Sequence, residues 1–298
     1  MKGSQPPICN YEGSDYQTSF WEQGGRSYED QAEALALKRL LPPGGNLLLE
    51  LGAGAGRNTA RYAGFKQVVL LDYSLTQLRQ AMERLGRNQQ YIYVAADIYR
   101  LPFVDGLFDA ATMIRTLHHM AEPLAALNQV HNTLQPGAVF ILEYANKQNL
   151  KAILRYIIRR QAWSPFATES VEFEKLNFDF HPETVRNWLK ESGFDLQEQL
   201  AVSYFRLAVI KQTLPLSLLM HLERWLQPTG ALCQLSPSIF TRSYTLGNTP
   251  KAQMGTFFKC PVCGGHELKP HRVKILCPDC SREWTIRDGI FDFRMNAN

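Results

Sequence analysis

Residues 47–58 read Leu47-Leu48-Leu49-Glu50-Leu51-Gly52-Ala53-Gly54-Ala55-Gly56-Arg57-Asn58. The first five, apolar apart from Glu50, have the unbroken pattern of a parallel strand covered on both faces. Three glycines then alternate with alanines. Glycine adopts positive φ without strain and lets a ligand reach the backbone where a Cβ would clash. A helical pattern resumes at Asn58-Thr59-Ala60-Arg61. The glycines therefore fall in a strand-to-helix turn whose free amides point past the carboxyl end of the strand, where open α/β sheets bind ligands. A tight turn without a ligand is one reading. A dinucleotide fingerprint is another, but Gly-x-Gly-x-x-Gly counted from Gly52 puts Arg57 in its sixth place.

The following strands narrow the choice. Val68 to Asp72 is a second buried run ending in a carboxylate, placed where an acid accepts hydrogen bonds from both ribose hydroxyls. Tyr91 to Ile98 is a third and holds Asp97. Phe108 to His119 fits a fourth and its exit, and Leu134 to Glu143 a helix end, a Pro136-Gly137 turn and a fifth strand. Glu-x-Gly-x-Gly-x-Gly over 50–56, followed by these runs in this order, resembles the class I S-adenosylmethionine-dependent methyltransferases over about residues 20–250. The resemblance implies an α/β, Rossmann-like, doubly wound sheet of seven strands with S-adenosylmethionine as cofactor. It places Glu50, Gly52, Gly54, Gly56, Asp72, Tyr73, Asp97, Ile98, Ile114 and Arg115 around that cofactor, with Asp97 on the adenine amino group and Ile98 on the ring. His118-His119 follows the fourth strand, where the family places residues facing the methyl group. A neutral imidazole there serves as general base or orients an acceptor hydroxyl, and local packing is the alternative. Adjacent positions do not share a helical face, so at most one ring is expected in the site. Glu143 leaves the fifth strand at the same edge and is the third catalytic candidate.

Residues 1–45 form an N-terminal segment and capping helix, 46–249 the methyltransferase domain, and 250–298 a C-terminal module. In related enzymes the leading segment lines the substrate mouth, so Trp21, Arg26 and Tyr28 are rim candidates; packing of the first helix onto the sheet is the alternative. Helical lid insertions are expected near 148–178 and 205–228. In the first, Lys151, Arg155 and Arg159 recur four apart as a basic stripe, read as a solvated face or a phosphate-contacting surface. The second is apolar almost all round and suits a cover over a hydrophobic substrate, a membrane surface, or burial against the helix at 150–163 or the C-terminal module.

The chain has 298 residues, 45% hydrophobic and 20% charged, with net charge +4. That length supports a full core, and the charge permits a nucleic-acid partner without requiring one. No apolar signal segment opens the sequence and no run of 18 apolar residues interrupts it, so a cytoplasmic chain without a transmembrane segment is expected. Four of the six cysteines sit in two pairs, Cys260-Pro261-Val262-Cys263 and Cys277-Pro278-Asp279-Cys280, thirteen residues apart. Two such knuckles make a closed four-thiolate site of the kind Zn²⁺ prefers, structural rather than catalytic. With its tail from Trp284 to Phe293 the module resembles the small zinc-ribbon activator subunit of translation-machinery methyltransferases. Thr285 and Phe291 stand where that family has prolines. The resemblance implies a ribbon that pairs with the catalytic sheet, here in cis.

The fourth-strand exit, Arg115-Thr116-Leu117-His118, lacks the Asn/Asp-Pro-Pro-Tyr of adenine or glutamine amide methylation. The expected acceptor is a small molecule, lipid-like or of quinone type, with peripheral membrane contact open. RNA is the alternative, supported by the ribbon and the basic stripe. A catalytically inactive binding module is the second alternative, and the retained Glu50, Asp72 and Asp97 speak against it.

Overall fold

The structure is a computed structural model that describes residues 6–14 and 17–295. Its central strands are β1 (Gly45–Leu51), β2 (Phe65–Asp72), β3 (Tyr91–Ala95), β4 (Phe108–Met113) and β5 (Leu134–Ala145), all parallel in the order 3-2-1-4-5. Beyond β5 the chain adds β8 (Phe194–Val202) at the edge, and β9 (Ser238–Thr245) inserts antiparallel between them. Alternate residues feed opposite layers. Leu48, Val68, Leu70 and Ala110 pack with α1 (Ser27–Leu40) and α2 (Leu75–Leu85). Leu49, Leu51, Val69, Leu71 and Ala111 pack with α3 (Pro123–Thr133) and α5 (Pro182–Glu191). This is the two-sided burial that the apolar runs predict, and the fold is the Rossmann-like α/β class expected.

One expected element is shorter. The pattern from Asn58 makes only a 3₁₀ helix, Thr59–Tyr62, because β2 already starts at Phe65. The two turns there press together: a Cβ on Gly64 would lie 2.3 Å from the Pro43 carbonyl oxygen. The turn amides therefore act without an α-helix behind them.

After β5 come α4 (Leu150–Ile157) and a separate antiparallel hairpin, β6 (Val171–Glu174) with β7 (Asn177–Asp179). The 205–228 segment folds as α6 (Ala208–Thr213) and α7 (Leu216–Leu226). It packs against α1. The buried Tyr28 hydroxyl donates to Glu223 at 2.6 Å and accepts from the Phe205 amide at 3.0 Å, and Lys211 pairs with Glu29 at 2.8 Å. No described helix is long and apolar enough to cross a membrane.

The C-terminal strands β10 (Lys269–Pro270), β11 (Lys274–Leu276), β12 (Glu283–Arg287) and β13 (Ile290–Asp292) extend the same sheet to eleven strands. β13 lies parallel to β3, with Ile290 opposite Tyr93 and Asp292 opposite Ala95. Trp284, Phe293, Cys260 and Cys277 are buried in one core with Phe103 and Phe108, and Phe258 stacks on Phe103. A module this small cannot enclose a core alone, and here it shares that of its neighbour.

Candidate cofactor and acceptor site

The carboxyl ends of β1, β2, β3 and β4 surround one pocket. Its walls include Glu50, Gly52, Gly54, Asp72, Tyr73, Asp97, Ile98, Ile114 and Arg115. Gly52 and Gly54 both have positive φ, +67° and +53°. Gly56 does not line the pocket; a Cβ there would meet Leu85 at 2.8 Å, so this glycine lets α2 approach the turn. Asp72 accepts from the Gly54 and Ser74 amides, each at 2.9 Å, while burial pushes its pKa up. Asp97 caps the 3₁₀ turn after β3 through the Tyr99 amide at 2.9 Å.

Glu50 accepts from the Thr59 hydroxyl at 2.6 Å. Burial pushes it up to about 8, against the pull of Thr59 and of Arg57 and Arg61. Between the ordinary carboxylate value of 4.5 and about 8, the folded chain then holds a proton that the unfolded chain has released. Stability of the cofactor-free protein should fall as pH rises through that window and level off above it, by about 1 kcal/mol per pH unit. Glu50→Gln should flatten this slope in melting curves taken from pH 5 to 9. A variant that keeps the wild-type slope would assign the titration to another group.

A guanidinium clamp closes one side. Arg57 and Arg115 both pair with the buried Glu33, each at 2.6 Å, and Arg57 also pairs with Asp30. Burial pulls Glu33 up, but the two cations outweigh it and hold it at about 2. Trp21 lies under both guanidiniums, 3.5 Å from Arg57 and 4.8 Å from Arg115. Of the three rim candidates Trp21 lines the pocket. Arg26 instead sits over Phe20 and pairs with Glu29, and Tyr28 is the strut between α1 and α7 described above.

The two histidines separate. His119 lines the pocket; His118 does not. The His119 Nδ1 lies 3.0 Å from the Leu176 carbonyl, which only accepts, so Nδ1 carries the proton. Nε2, 3.1 Å from the Tyr11 hydroxyl, is then the acceptor. Burial lowers the pKa of both rings. Glu143 is occupied: one oxygen accepts from the Arg115 amide at 2.9 Å and the other from the Ser238 hydroxyl. It braces the β4 exit against β9 and does not line the pocket.

Reasoning from sequence gave the leading segment a place at the mouth but missed its first residues, an N-terminal strap, as part of the wall. Ile8, Cys9 and Tyr11 line the pocket beside Met120, whereas none of the described lining residues comes from 148–178 or 205–228. From those segments Leu176 backs His119, and Arg206 brings its charge near Arg115, Glu143 and His118. Glu12 anchors the strap by accepting from the Leu75 and Thr76 amides at 2.9 and 3.1 Å. No periodicity marks such a segment, so only the aromatic and polar residue types were available as a signal.

The four cysteine sulfurs lie within 4.8 Å of one another, with Cys260–Cys280 at 3.7 Å and Cys263–Cys277 at 3.4 Å. A tetrahedron with metal–sulfur bonds of 2.3 Å has edges of roughly 3.8 Å, so the donor set fits Zn²⁺. Gly264 and Ser281, each directly after a knuckle's second cysteine, both take positive φ.

Residues 49–142 match the methyltransferase domain family. The chain is 30% identical over 177 residues to a demethylmenaquinone methyltransferase of Clavibacter sepedonicus, covering 55% of this chain and 72% of that one. Other curated relatives are spanned over 39–66% of their length. Two solved structures share the fold. An S-adenosylmethionine-dependent methyltransferase of Listeria monocytogenes superposes with a TM-score of 0.54 at 16% identity, covering 74% of this chain and 99% of that one. A chain of the complex between a Haloferax volcanii methyltransferase and its Trm112 activator gives 0.53 at 15% identity, covering 78% and 96%. The protein belongs to the class I S-adenosylmethionine-dependent methyltransferases. It is an enzyme of that class, with S-adenosylmethionine as its cofactor.

Proposed function

We propose that the enzyme methylates a small, rather apolar acceptor of quinone type, and that its four cysteines hold one structural Zn²⁺. The observation that carries the acceptor reading is the composition of the pocket beyond the glycine turn: Ile8, Trp21, Ile114 and Met120 wall it, with Tyr11 and His119 as the polar pair. The demethylmenaquinone methyltransferase relative supports the same class. The cofactor supplies an electrophilic methyl group. The chain's task is to align an acceptor with it and exclude water. In this reading Asp72 and Asp97 hold the ribose and adenine, and Ile98 packs on the ring. Neutral His119 takes a proton through Nε2, by way of Tyr11 or directly from the acceptor.

Asp72→Ala should weaken S-adenosylmethionine binding by about 1.5–3 kcal/mol, ten- to a hundredfold, in calorimetry. Unchanged affinity would remove Asp72 from the site. Methyl transfer from labelled cofactor to a reduced naphthoquinone, with none to total RNA, is the expected acceptor result. Robust, salt-sensitive labelling of RNA would overturn it.

A further inference from the structure

Helix α4 leaves the carboxyl end of β5, on the side of the sheet where the pocket lies. Ala152 is its only buried residue. Leu150, Leu154, Ile157 and Ile158, spaced four, three and one apart, are 48%, 53%, 66% and 57% exposed. Residues 150–160 also carry Lys151, Arg155, Arg159 and Arg160 and no acid. The apolar surface continues past the helix. Tyr156 packs edge-on against Phe166, Trp163 against Phe173, and both phenylalanines are more than half exposed. Monomers seldom leave so continuous an apolar surface uncovered.

We propose that α4 and the aromatic residues after it dock the enzyme on an anionic lipid bilayer, with the apolar face in the acyl boundary and the basic residues at the headgroups. A helix with exposed Leu and Ile beside Lys and Arg, short and without acids, has the character of an interfacial helix. Each basic residue near such a surface adds attraction, and the apolar face adds burial. A second copy of the chain fits less well. An isologous contact would bring the same four cations face to face. RNA needs the cations but leaves Leu150, Leu154, Ile157 and Ile158 uncovered. The inference rests on this exposed face and not on the acceptor reading. It places the pocket edge near a lipid phase, from which an apolar acceptor would enter.

The test is flotation of the full chain with vesicles of phosphatidylcholine alone and of phosphatidylcholine with phosphatidylglycerol, at low and high salt. Binding to the anionic vesicles should exceed that to the neutral ones at least tenfold and fall with salt. Lys151→Gln/Arg155→Gln/Arg159→Gln should lose thirty- to a hundredfold in partitioning, from roughly three- to fivefold per cation. Leu154→Ser/Ile157→Ser/Ile158→Ser should also detach the protein. Every substituted side chain is exposed, so both variants should keep the wild-type melting temperature and cofactor affinity. Equal or absent binding to the two vesicle types would overturn the proposal. So would charge-variant binding equal to wild type, a concentration-dependent dimer that the serine variant abolishes while vesicles do not bind, or tight binding of poly(U) that anionic vesicles fail to displace. Failure of quinone methylation with vesicle binding intact would instead count only against the acceptor reading.

Discussion

Replacing Cys277 by serine, or removing metal with a strong chelator, is expected to cost the protein its cooperative fold. Structural zinc supplies apparent folding energy of about 10–16 kcal/mol at neutral pH, as large as the whole stability of an ordinary domain. Cys277 is fully buried, and with Cys260, Trp284 and Phe293 it sits in the core that the module shares with Phe103 and Phe108. Loss of the knuckles should therefore release β13 from β3 and expose that shared cluster. The pocket should register it too. Arg294, beyond β13, pairs with Asp292 at 2.9 Å, donates to the Tyr73 carbonyl at 3.2 Å, and reaches Glu12 of the strap at 3.4 Å. Elemental analysis should find one zinc per chain. Thermal melting and cofactor calorimetry should show early unfolding and weakened binding together after its removal. Metal-free protein with an unchanged melting temperature would show that the thiols alone suffice.

The sheet was legible because its signal is local. Runs such as Val68 to Asp72 are apolar at every position, and that pattern arises where both faces are covered. The glycine turn was legible for a related reason, since backbone conformation limits which residue can stand there. The boundaries of 3₁₀ turns were not. Whether Asn58 opens an α-helix depends on how soon β2 must begin, and that is fixed by packing of Gly44 against Gly64.

Side-chain roles divided along the same line. Asp72 and Asp97 are placed by strand ends, so their positions on the pocket wall could be read from the chain. Glu143 has the same strand-end position, yet its carboxylate is consumed by the Arg115 amide and Ser238. Those partners come from 28 residues before it and 95 after it. Tyr28 behaves likewise, since its hydroxyl is committed to Glu223, 195 residues away. The 205–228 segment was readable as apolar and helical, but not as a layer on α1. Polarity tells that a face must be covered and does not name the surface that covers it.

Gly52→Ala is expected to weaken cofactor binding by roughly thirty- to several thousandfold. Gly52 has φ of +67°, a region that costs an L side chain about 1–2 kcal/mol. Its added Cβ would lie 2.1 Å from the Thr116 hydroxyl oxygen and 2.7 Å from the Thr116 methyl. Thr116 has little room to give. It is buried, and its hydroxyl donates to the Leu51 and Ile114 carbonyls at 3.2 and 3.1 Å, tying the end of β1 to the exit of β4. Overpacking of this kind costs about 1–3 kcal/mol more. The two terms together reach about 2–5 kcal/mol, or roughly thirty- to several thousandfold in affinity if the bound geometry bears them. The control is Gly137→Ala. Gly137 has φ of +74° but nothing within 4 Å of the added Cβ. It should lose about 1–2 kcal/mol of stability from the same backbone strain and keep its cofactor affinity. Calorimetry and melting of both variants separate the contributions. Wild-type affinity in Gly52→Ala would mean that the turn after β1 does not carry the cofactor.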